Sequence, residues 1–207
     1  MKGLIIKDLF LLRKQGKMLL LLAIFYTVFS IFTKNISMLG AIVAVLCTMM
    51  TITTLSYDEY CKWDRYALAM PVSGTSIVLS KYILGLLLTL AGFITAAVII
   101  VGIVAITGEM PFGEALFTIF CTSIISLLFL SAILPLLFKF GVEKGRILLM
   151  LVIFIPAALI YLLYKLGFQI PDSETLKLLA WLSPIAVILI GFLSVWLSIR
   201  IYKKKEF

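Results

Sequence analysis

The residues best suited to chemistry or binding lie in one stretch, Tyr57 to Lys81, which reads YDEYCKWDRYALAMPVSGTSIVLSK. Two acids open it, Asp58 and Glu59, and a mixed charged and aromatic group follows: Lys62, Trp63, Asp64, Arg65 and Tyr66. Exposed Trp, Tyr and Arg carry much of the binding energy at protein–protein interfaces. The pattern predicts a short amphipathic helix over 57–74, ended by Pro71 and Gly74, that binds a partner protein. A solvated loop with aromatic side chains at a membrane boundary is the alternative.

Residue patterns that would indicate catalysis or metal binding are missing from the sequence. It has no histidine, and Cys47, Cys61 and Cys121 show neither paired nor metal-ligand spacing. It has no GxxxxGK[ST] phosphate loop, so any ATP hydrolysis must take place on another chain. No charged residue lies near the middle of an apolar run, where ion-coupled carriers keep ionisable groups. We therefore expect no enzyme activity, no catalytic or metal-binding residues and no cofactor on this chain.

The elements that hold these residues are long apolar runs. Of 207 residues, 63% are hydrophobic and only 14% are charged, against roughly a quarter charged in soluble domains. A helix needs roughly 20 apolar residues to cross a bilayer. The sequence predicts an all-α membrane protein with a single transmembrane domain, 1–207, and six spans at 18–33, 36–56, 82–107, 114–138, 147–164 and 184–202.

The basic residues predict the orientation. With a cytoplasmic N-terminus, 15 of the 18 Lys and Arg residues lie in cytoplasmic segments, and only Lys34, Lys165 and Lys177 lie outside. This bias follows the positive-inside rule, so we expect both termini in the cytoplasm. The net charge of +8 is spread over several loops rather than one face. Membrane lipid is therefore the expected partner of these charges, and nucleic acid is not.

The first 17 residues predict an amphipathic helix in the cytoplasmic headgroup layer. Ile5, Leu9 and Leu12 share one stripe, while Lys7 and Asp8 lie on the other side, where the lysines would face anionic lipid. An ordinary basic flank that only sets the orientation is the alternative.

A second helix that does not cross the membrane is predicted on the outer face, before the last span. Residues 174–182 form a short apolar segment after the potential N-cap Ser173, and Ser183-Pro184 repeats a helix start. In the alternative, these residues simply extend the last span.

Small residues in the third predicted span permit close helix approach. They are Gly85, Gly92, Ala96 and Gly102. They fit either a subunit interface or packing within the chain.

Several stretches resemble one known family. KWDRYALAMPVSGTSIVLSKY, with the acids before it, resembles permease subunits of bacterial type-two ABC exporters, in the small subfamily that exports phenol-soluble modulins and related amphipathic peptides. The opening MKGLIIKDLFLLRKQGK is similar to that family's interfacial helix. FKFGVEKGR at 138–146 is similar to its second cytoplasmic turn, which places Lys139, Glu143, Lys144 and Arg146 there.

The resemblance implies an exporter permease of the bacterial cell membrane. Two copies would pair, and each would dock a separate cytoplasmic ATP-binding subunit that carries ATP and Mg²⁺. The segment 57–74 would be the coupling helix, contacting that subunit through Asp58, Glu59, Lys62, Trp63, Asp64, Arg65 and Tyr66. The expected cargo is amphipathic peptides or other hydrophobic compounds, with no residue assigned to it. A non-transporting membrane scaffold or a peptide-immunity subunit is the alternative function.

Overall fold

The computed structural model describes residues 2–33, 36–69, 72–108, 111–166 and 173–204, and every element in them is an α-helix. The helices are α1 (Lys2–Arg13), α2 (Gly16–Thr33), α3 (Ile36–Tyr60), α4 (Trp63–Ala69), α5 (Gly74–Thr107), α6 (Phe112–Lys165) and α7 (Ser173–Lys203). The predicted all-α class is confirmed.

Three stretches of the described chain are long and apolar enough to cross a membrane: Gly74–Ala105, Phe112–Gly145 and Ala180–Lys203. They coincide with the third, fourth and sixth predicted spans. The helices α2 and α3 lie where the first two spans are predicted, and α6 extends through the fifth. The count of six spans stays a prediction.

A single glycine divides α6 into two arms. Gly141 has φ 78° and ψ 174°, while 112–140 and 142–165 are helical. Almost only glycine adopts this backbone conformation. A Cβ on Gly145 would clash with Leu137, so the two arms lie close together beside the break. The predicted turn over 138–146 is therefore wrong in extent, because all its residues except Gly141 are helical.

The segment predicted as one helix over 57–74 is divided among three elements. The helix α3 continues to Tyr60, and Lys62, with φ 50°, lies in the turn before the seven-residue α4. The helix α5 then begins at Gly74, where the hydroxyl of the N-cap Ser73 accepts a hydrogen bond from the Ser76 N–H. Glycine at 74 thus begins a helix instead of ending one. Pro71, the other predicted stop, lies outside the described residues.

The helix α7 runs without a break through Ser183-Pro184, so the separate outer helix predicted at 174–182 is wrong. Proline has no N–H to donate to the carbonyl of Ala180, four residues earlier. The Ser183 hydroxyl donates to that carbonyl instead, at 2.6 Å. The Ala180 carbonyl therefore keeps a hydrogen-bond donor, and α7 continues through Ser183-Pro184 although this pair is typical of a helix start.

This substitute bond predicts a coupled effect of two mutations. Ser183→Ala should lower the free energy of unfolding by about 1 kcal/mol, because the Ala180 carbonyl loses its donor. In a Pro184→Ala background, where the backbone N–H is restored, the same change should have a smaller effect. Thermal unfolding of the four variants in detergent measures both effects. Equal effects of Ser183→Ala in the two backgrounds would show that the hydroxyl does not replace the missing bond.

Buried residues form a core at each end of α5. The core near its start contains Ala67, Ile77, Val78, Leu130, Leu134, Phe138 and Tyr202. The core near its end contains Ile100, Ile103, Val104, Ala115 and Ile119. A Cβ on Gly85 would lie 2.6 Å from Leu130, and one on Gly92 would clash with Cys47, whereas Gly102 has open space. Gly85 and Gly92 therefore serve packing within the chain.

The helix α1 packs against α3 and α5. Asp8 and Leu12 are buried, while Ile6, Leu9 and Phe10 are exposed. The expectation that Lys7 faces lipid is wrong, because its ammonium contacts Asp58 at 2.5 Å. The helix thus turns part of its charged side towards the bundle and leaves apolar side chains outside.

Candidate functional site

Four charged side chains meet where α1, α3 and α5 come together. Lys81 Nζ lies 2.7 Å from Asp8 Oδ2 and 2.5 Å from Asp58 Oδ2. Lys7 Nζ lies 2.5 Å from Asp58 Oδ1 and 3.4 Å from Asp8 Oδ1. We refer to Lys7, Asp8, Asp58 and Lys81 as the charged cluster. Its two positive and two negative charges balance, so three helices are joined by alternating ion pairs.

Burial makes the charged cluster sensitive to loss of any member. The side chains of Asp8 and Lys81 are 1% and 3% exposed, and that of Asp58 is 11% exposed. A buried ion pair contributes little net stability, but removal of one partner leaves an uncompensated charge in a low-dielectric site. Asp8 Oδ1 has no hydrogen-bond partner among the described residues, so Asp8 depends on Lys81 for its direct bond.

The short helix α4 is held against the same end of the bundle. The Lys7 ammonium lies 4.1 Å from the centre of the Trp63 ring, in a cation–π contact. Ala67 is 1% exposed and belongs to the core near the start of α5. The outer side of α4 carries Tyr66, which is 64% exposed. Both ends of this helix are thus anchored, while an aromatic side chain remains accessible.

Glu59 connects α3 to the break in α6. Its Oε2 accepts a hydrogen bond from the Val142 N–H at 2.7 Å, directly after Gly141. A break of this kind leaves the first N–H groups of the following helix without partners, and a carboxylate is a favourable acceptor there. A surface cavity of 330 Å³ lies beside this contact, lined by Ser56, Glu59, Tyr60, Val142 and Glu143.

The structure divides the residues predicted to contact a partner into buried and accessible groups. Asp58 is buried in the charged cluster, so its predicted role as a partner contact is corrected to an internal one. Glu59 is exposed, although its Oε2 accepts the bond from Val142, so its contact with a partner stays a prediction. Lys62 and Tyr66 are exposed, and Trp63 is half-buried. The helix α4 contains Asp64 and Arg65, whose side chains lie outside the described part.

Residues of the predicted second turn are also accessible. Lys139, Glu143 and Lys144 are exposed, and Lys139 lies 5.0 Å from the centre of the Phe140 ring. Arg146 lies in α6, but its side chain is not among those that the structure describes. Among the described residues, no group of three His, Cys, Asp or Glu side chains could hold a metal ion.

Sequence reasoning missed the internal pairing of Lys7, Asp8 and Lys81. One signal was available: Asp8 is the only acid before Asp58, within an otherwise basic opening segment. It also missed a group of hydroxyls in which Tyr82 contacts Ser194 and Ser198. Isolated serines in apolar runs carry no such signal, because they satisfy their hydrogen bonds within their own helix equally well.

Comparison with known proteins gives one family. No curated protein and no solved structure matches the chain. A family model described as ABC-2 family transporter protein matches residues 3–203, nearly the whole sequence. That match agrees with the apolar helices and with the resemblance of the 62–82 stretch to such permeases. The chain therefore belongs to the ABC-2 transporter family, as a membrane permease of an ABC transporter.

Proposed function

We propose that the chain is the permease subunit of an ATP-driven exporter with six spans and both termini in the cytoplasm of a bacterial cell. A separate ATP-binding subunit supplies the energy, two copies of the chain pair, and the cargo is amphipathic peptides, as in the phenol-soluble modulin exporters, or other hydrophobic compounds. Family membership implies the ATP-binding partner. The pairing of two copies, the bacterial cell and the peptide cargo rest on the resemblance to exporter permeases, the orientation rests on the charge pattern, and the docking of the partner rests on the geometry of one end of the bundle.

The observation that carries the proposal is a small accessible surface on an anchored support. We refer to Tyr60, Lys62 and Tyr66 as the docking face; Tyr60 is 87% exposed and Tyr66 64% exposed. Aromatic side chains exposed beside a cation are typical of binding hot spots. The adjoining cavity beside Glu59 and Glu143 offers room for side chains of a partner.

The support transmits movement from the docking face to several helices. A displacement of α4 acts on Lys7 through Trp63, and on the core near the start of α5 through Ala67. Lys7 and the rest of the charged cluster connect α1, α3 and α5. Glu59 connects the same region to the second arm of α6. A partner that changes shape on binding ATP would thus act on most of the bundle together.

Movement of this kind produces transport only if the partner binds two arrangements of the bundle with different affinities. In the proposed cycle, closure of two ATP-binding subunits favours an outward-open arrangement, and release favours an inward-open one. The rigid connection through the charged cluster makes the change collective, since displacing one member alone would separate buried charges.

Apolar cavities support a hydrophobic or amphipathic cargo. One of 330 Å³ lies between α2, α3 and α5, and its walls include Leu46, Met50, Leu88 and Ile99. The hydroxyls of Thr27 and Thr95, which also line it, donate to carbonyls of their own helices. The space therefore offers few polar groups to a solute and suits hydrocarbon surfaces.

The docking face can be tested with a matched pair of tyrosines. Tyr66→Ala should weaken binding of the purified ATP-binding subunit about tenfold, as expected for loss of a hot-spot side chain. Tyr161→Ala, at a residue that is 67% exposed on the second arm of α6, should leave the affinity unchanged. Biolayer interferometry with the permease in nanodiscs measures both.

If the two variants bind the ATP-binding subunit with equal affinity, the docking face is not the surface that binds this subunit. If no ATP-binding subunit encoded beside this chain binds the unaltered permease, the result would instead support the scaffold or peptide-immunity function.

A further inference from the structure

A second apolar cavity lies on the other side of α5, between α5, α6 and α7. Its volume is 310 Å³, and most of its lining is hydrocarbon. Ile188 and Phe192 border it and are 58% and 71% exposed, so the cavity opens to the outside of the bundle. Tyr82 and Ser131 are the lining residues that bear hydroxyls. We refer to this space as the lateral cavity.

The hydroxyls around Tyr82 form a chain of hydrogen bonds with one consistent direction. The Ser194 hydroxyl donates to the Ser131 carbonyl at 2.5 Å. Ser194 has no second proton, so at its 2.5 Å contact with Tyr82 the phenol must be the donor. The proton of the Tyr82 phenol is then already used. The Ser198 hydroxyl, 2.7 Å away, must therefore donate to the Tyr82 oxygen. The direction is therefore Ser198 to Tyr82 to Ser194 to the Ser131 carbonyl.

The remaining hydroxyl of the group is also used as a donor. Ser131 Oγ donates to the Leu128 carbonyl of its own helix, at 2.8 Å. Each of the four hydroxyls thus has its proton in an internal bond, while each oxygen keeps at least one lone pair. Ser131, Ser194 and Ser198 are all buried, so water does not freely reach these lone pairs. The polar side of the lateral cavity can accept hydrogen bonds but cannot donate them.

We propose that the lateral cavity binds a hydrocarbon chain that ends in a neutral O–H or N–H donor. The apolar walls take the chain, and Tyr82 or Ser131 accepts the hydrogen bond. An apolar cavity of about 150 Å³ is large enough for benzene, so a space of twice this volume holds a longer chain. Among the residues that the structure describes, no acidic side chain lines the cavity. An ammonium group would therefore lose its hydration without gaining a counter-charge, and a neutral donor is preferred.

Binding at the lateral cavity does not depend on the proposed transport cycle. Because the cavity opens to the outside of the bundle beside the exposed Ile188 and Phe192, we assign the ligand to a lipid alcohol such as a monoacylglycerol. The indole of a tryptophan in a cargo peptide is the alternative that the test distinguishes. In the first case the ligand is a resident of the membrane; in the second it is part of the cargo.

Photolabelling tests the site directly. The purified chain in nanodiscs is labelled with a long-chain alcohol that carries a diazirine on its alkyl chain, and labelled peptides are identified by mass spectrometry. Labelling is expected at α5 and α7 residues around the lateral cavity. Dodecanol should compete about tenfold better than its methyl ether, which has the same chain but no donor. Equal competition by the two would overturn the proposed chemistry.

Two matched pairs of variants locate the site. A Cβ meets no atom within 4 Å at either Gly191, which lines the lateral cavity, or Gly102, which does not. Gly191→Leu should therefore abolish labelling by filling the space, and Gly102→Leu should not. Ser131→Ala should weaken alcohol competition several-fold, whereas Ser123→Ala, at another α6 serine that bonds to its own helix, should leave it unchanged. Labelling of Gly191→Leu at the unaltered level contradicts the location.

Competition by two further compounds identifies the source. Displacement by a monoacylglycerol but not by a tryptophan-containing amphipathic peptide assigns the site to lipid. The reverse assigns it to cargo. Displacement by neither, with dodecanol also inactive, rejects the site. All variants are compared only after gel filtration and circular dichroism show a folded, monodisperse protein.

Discussion

Replacement of Lys81 by Met is expected to cost about 3–5 kcal/mol of stability, the range for removing one partner of a buried ion pair. Lys81 is the cation between Asp8 and Asp58. Without it, the ammonium of Lys7, at 3.4 Å, is the remaining ion-pair partner of Asp8 among the described residues, while the Asp8 carboxylate is 1% exposed. The helix α1 should then detach from α3 and α5 well before the rest of the bundle unfolds.

The measurement is heat-induced loss of the folded protein in detergent, followed by gel filtration. Lys203→Met, at an exposed lysine of α7, is the matched control and should have little effect. Combining Lys81→Met with Asp8→Asn removes one charge of each sign and leaves Lys7 with Asp58. The double variant should be more stable than Lys81→Met alone. Equal stability of the Lys81 and Lys203 variants would contradict the charged cluster.

Replacement of Gly141 by Ala is expected to have the second largest effect. Its φ of 78° and ψ of 174° cost any other residue about 1–3 kcal/mol. A Cβ there would also lie 2.7 Å from Glu59 Oε1, which would push the carboxylate from the Val142 N–H. The two arms of α6 should separate, and the contact between α3 and α6 should weaken.

Gly113 provides the matched control on the same helix. A Cβ at Gly113 meets nothing within 4 Å, and alanine favours a helix over glycine. Gly113→Ala should therefore be neutral or slightly stabilising. Hydrogen exchange at Val142 and the residues after it measures the separation of the arms, and it should rise in Gly141→Ala only. Unchanged exchange in both variants would show that the break tolerates a side chain.

The sequence predicted the helical segments well because they follow from long apolar runs. The start of α3 at Ile36 and the end of α5 at Thr107 agree with the predicted spans. Gly108, with φ 63°, donates to the Val104 carbonyl and ends α5, a common use of glycine. Local composition determines these features, so no knowledge of distant contacts was needed.

Helix breaks were predicted less well because the same residues serve two purposes. Ser183-Pro184 can begin a helix, yet a serine hydroxyl can also replace the bond that proline removes. The chain reverses at 138–146 through one glycine because the following helix finds an acceptor in Glu59, 83 residues earlier. The first outcome depends on which of two local bonds the serine makes, and the second depends on a residue far away in the sequence.

The charged residues show the largest gap between sequence and structure. Asp58 and Glu59 were predicted to contact a partner because the segment 57–74 resembles the coupling helix of exporter permeases, and the structure buries Asp58. The compensating residues for Asp58 are Lys7 and Lys81, which lie 51 and 23 positions away. A reading of each segment by itself cannot pair them. Tyr66 is exposed, as its residue type and position predicted.

Crosslinking at Tyr66 tests the central claim most directly, namely that an ATP-binding subunit docks on the outer side of α4. In a variant whose three free cysteines are replaced by serine, Tyr66→Cys or the matched control Tyr161→Cys is introduced, and a short bifunctional thiol–amine reagent is added to the complex. The account predicts a crosslink to the ATP-binding subunit from position 66 and none from position 161. A crosslink from position 161 with none from position 66 would contradict it.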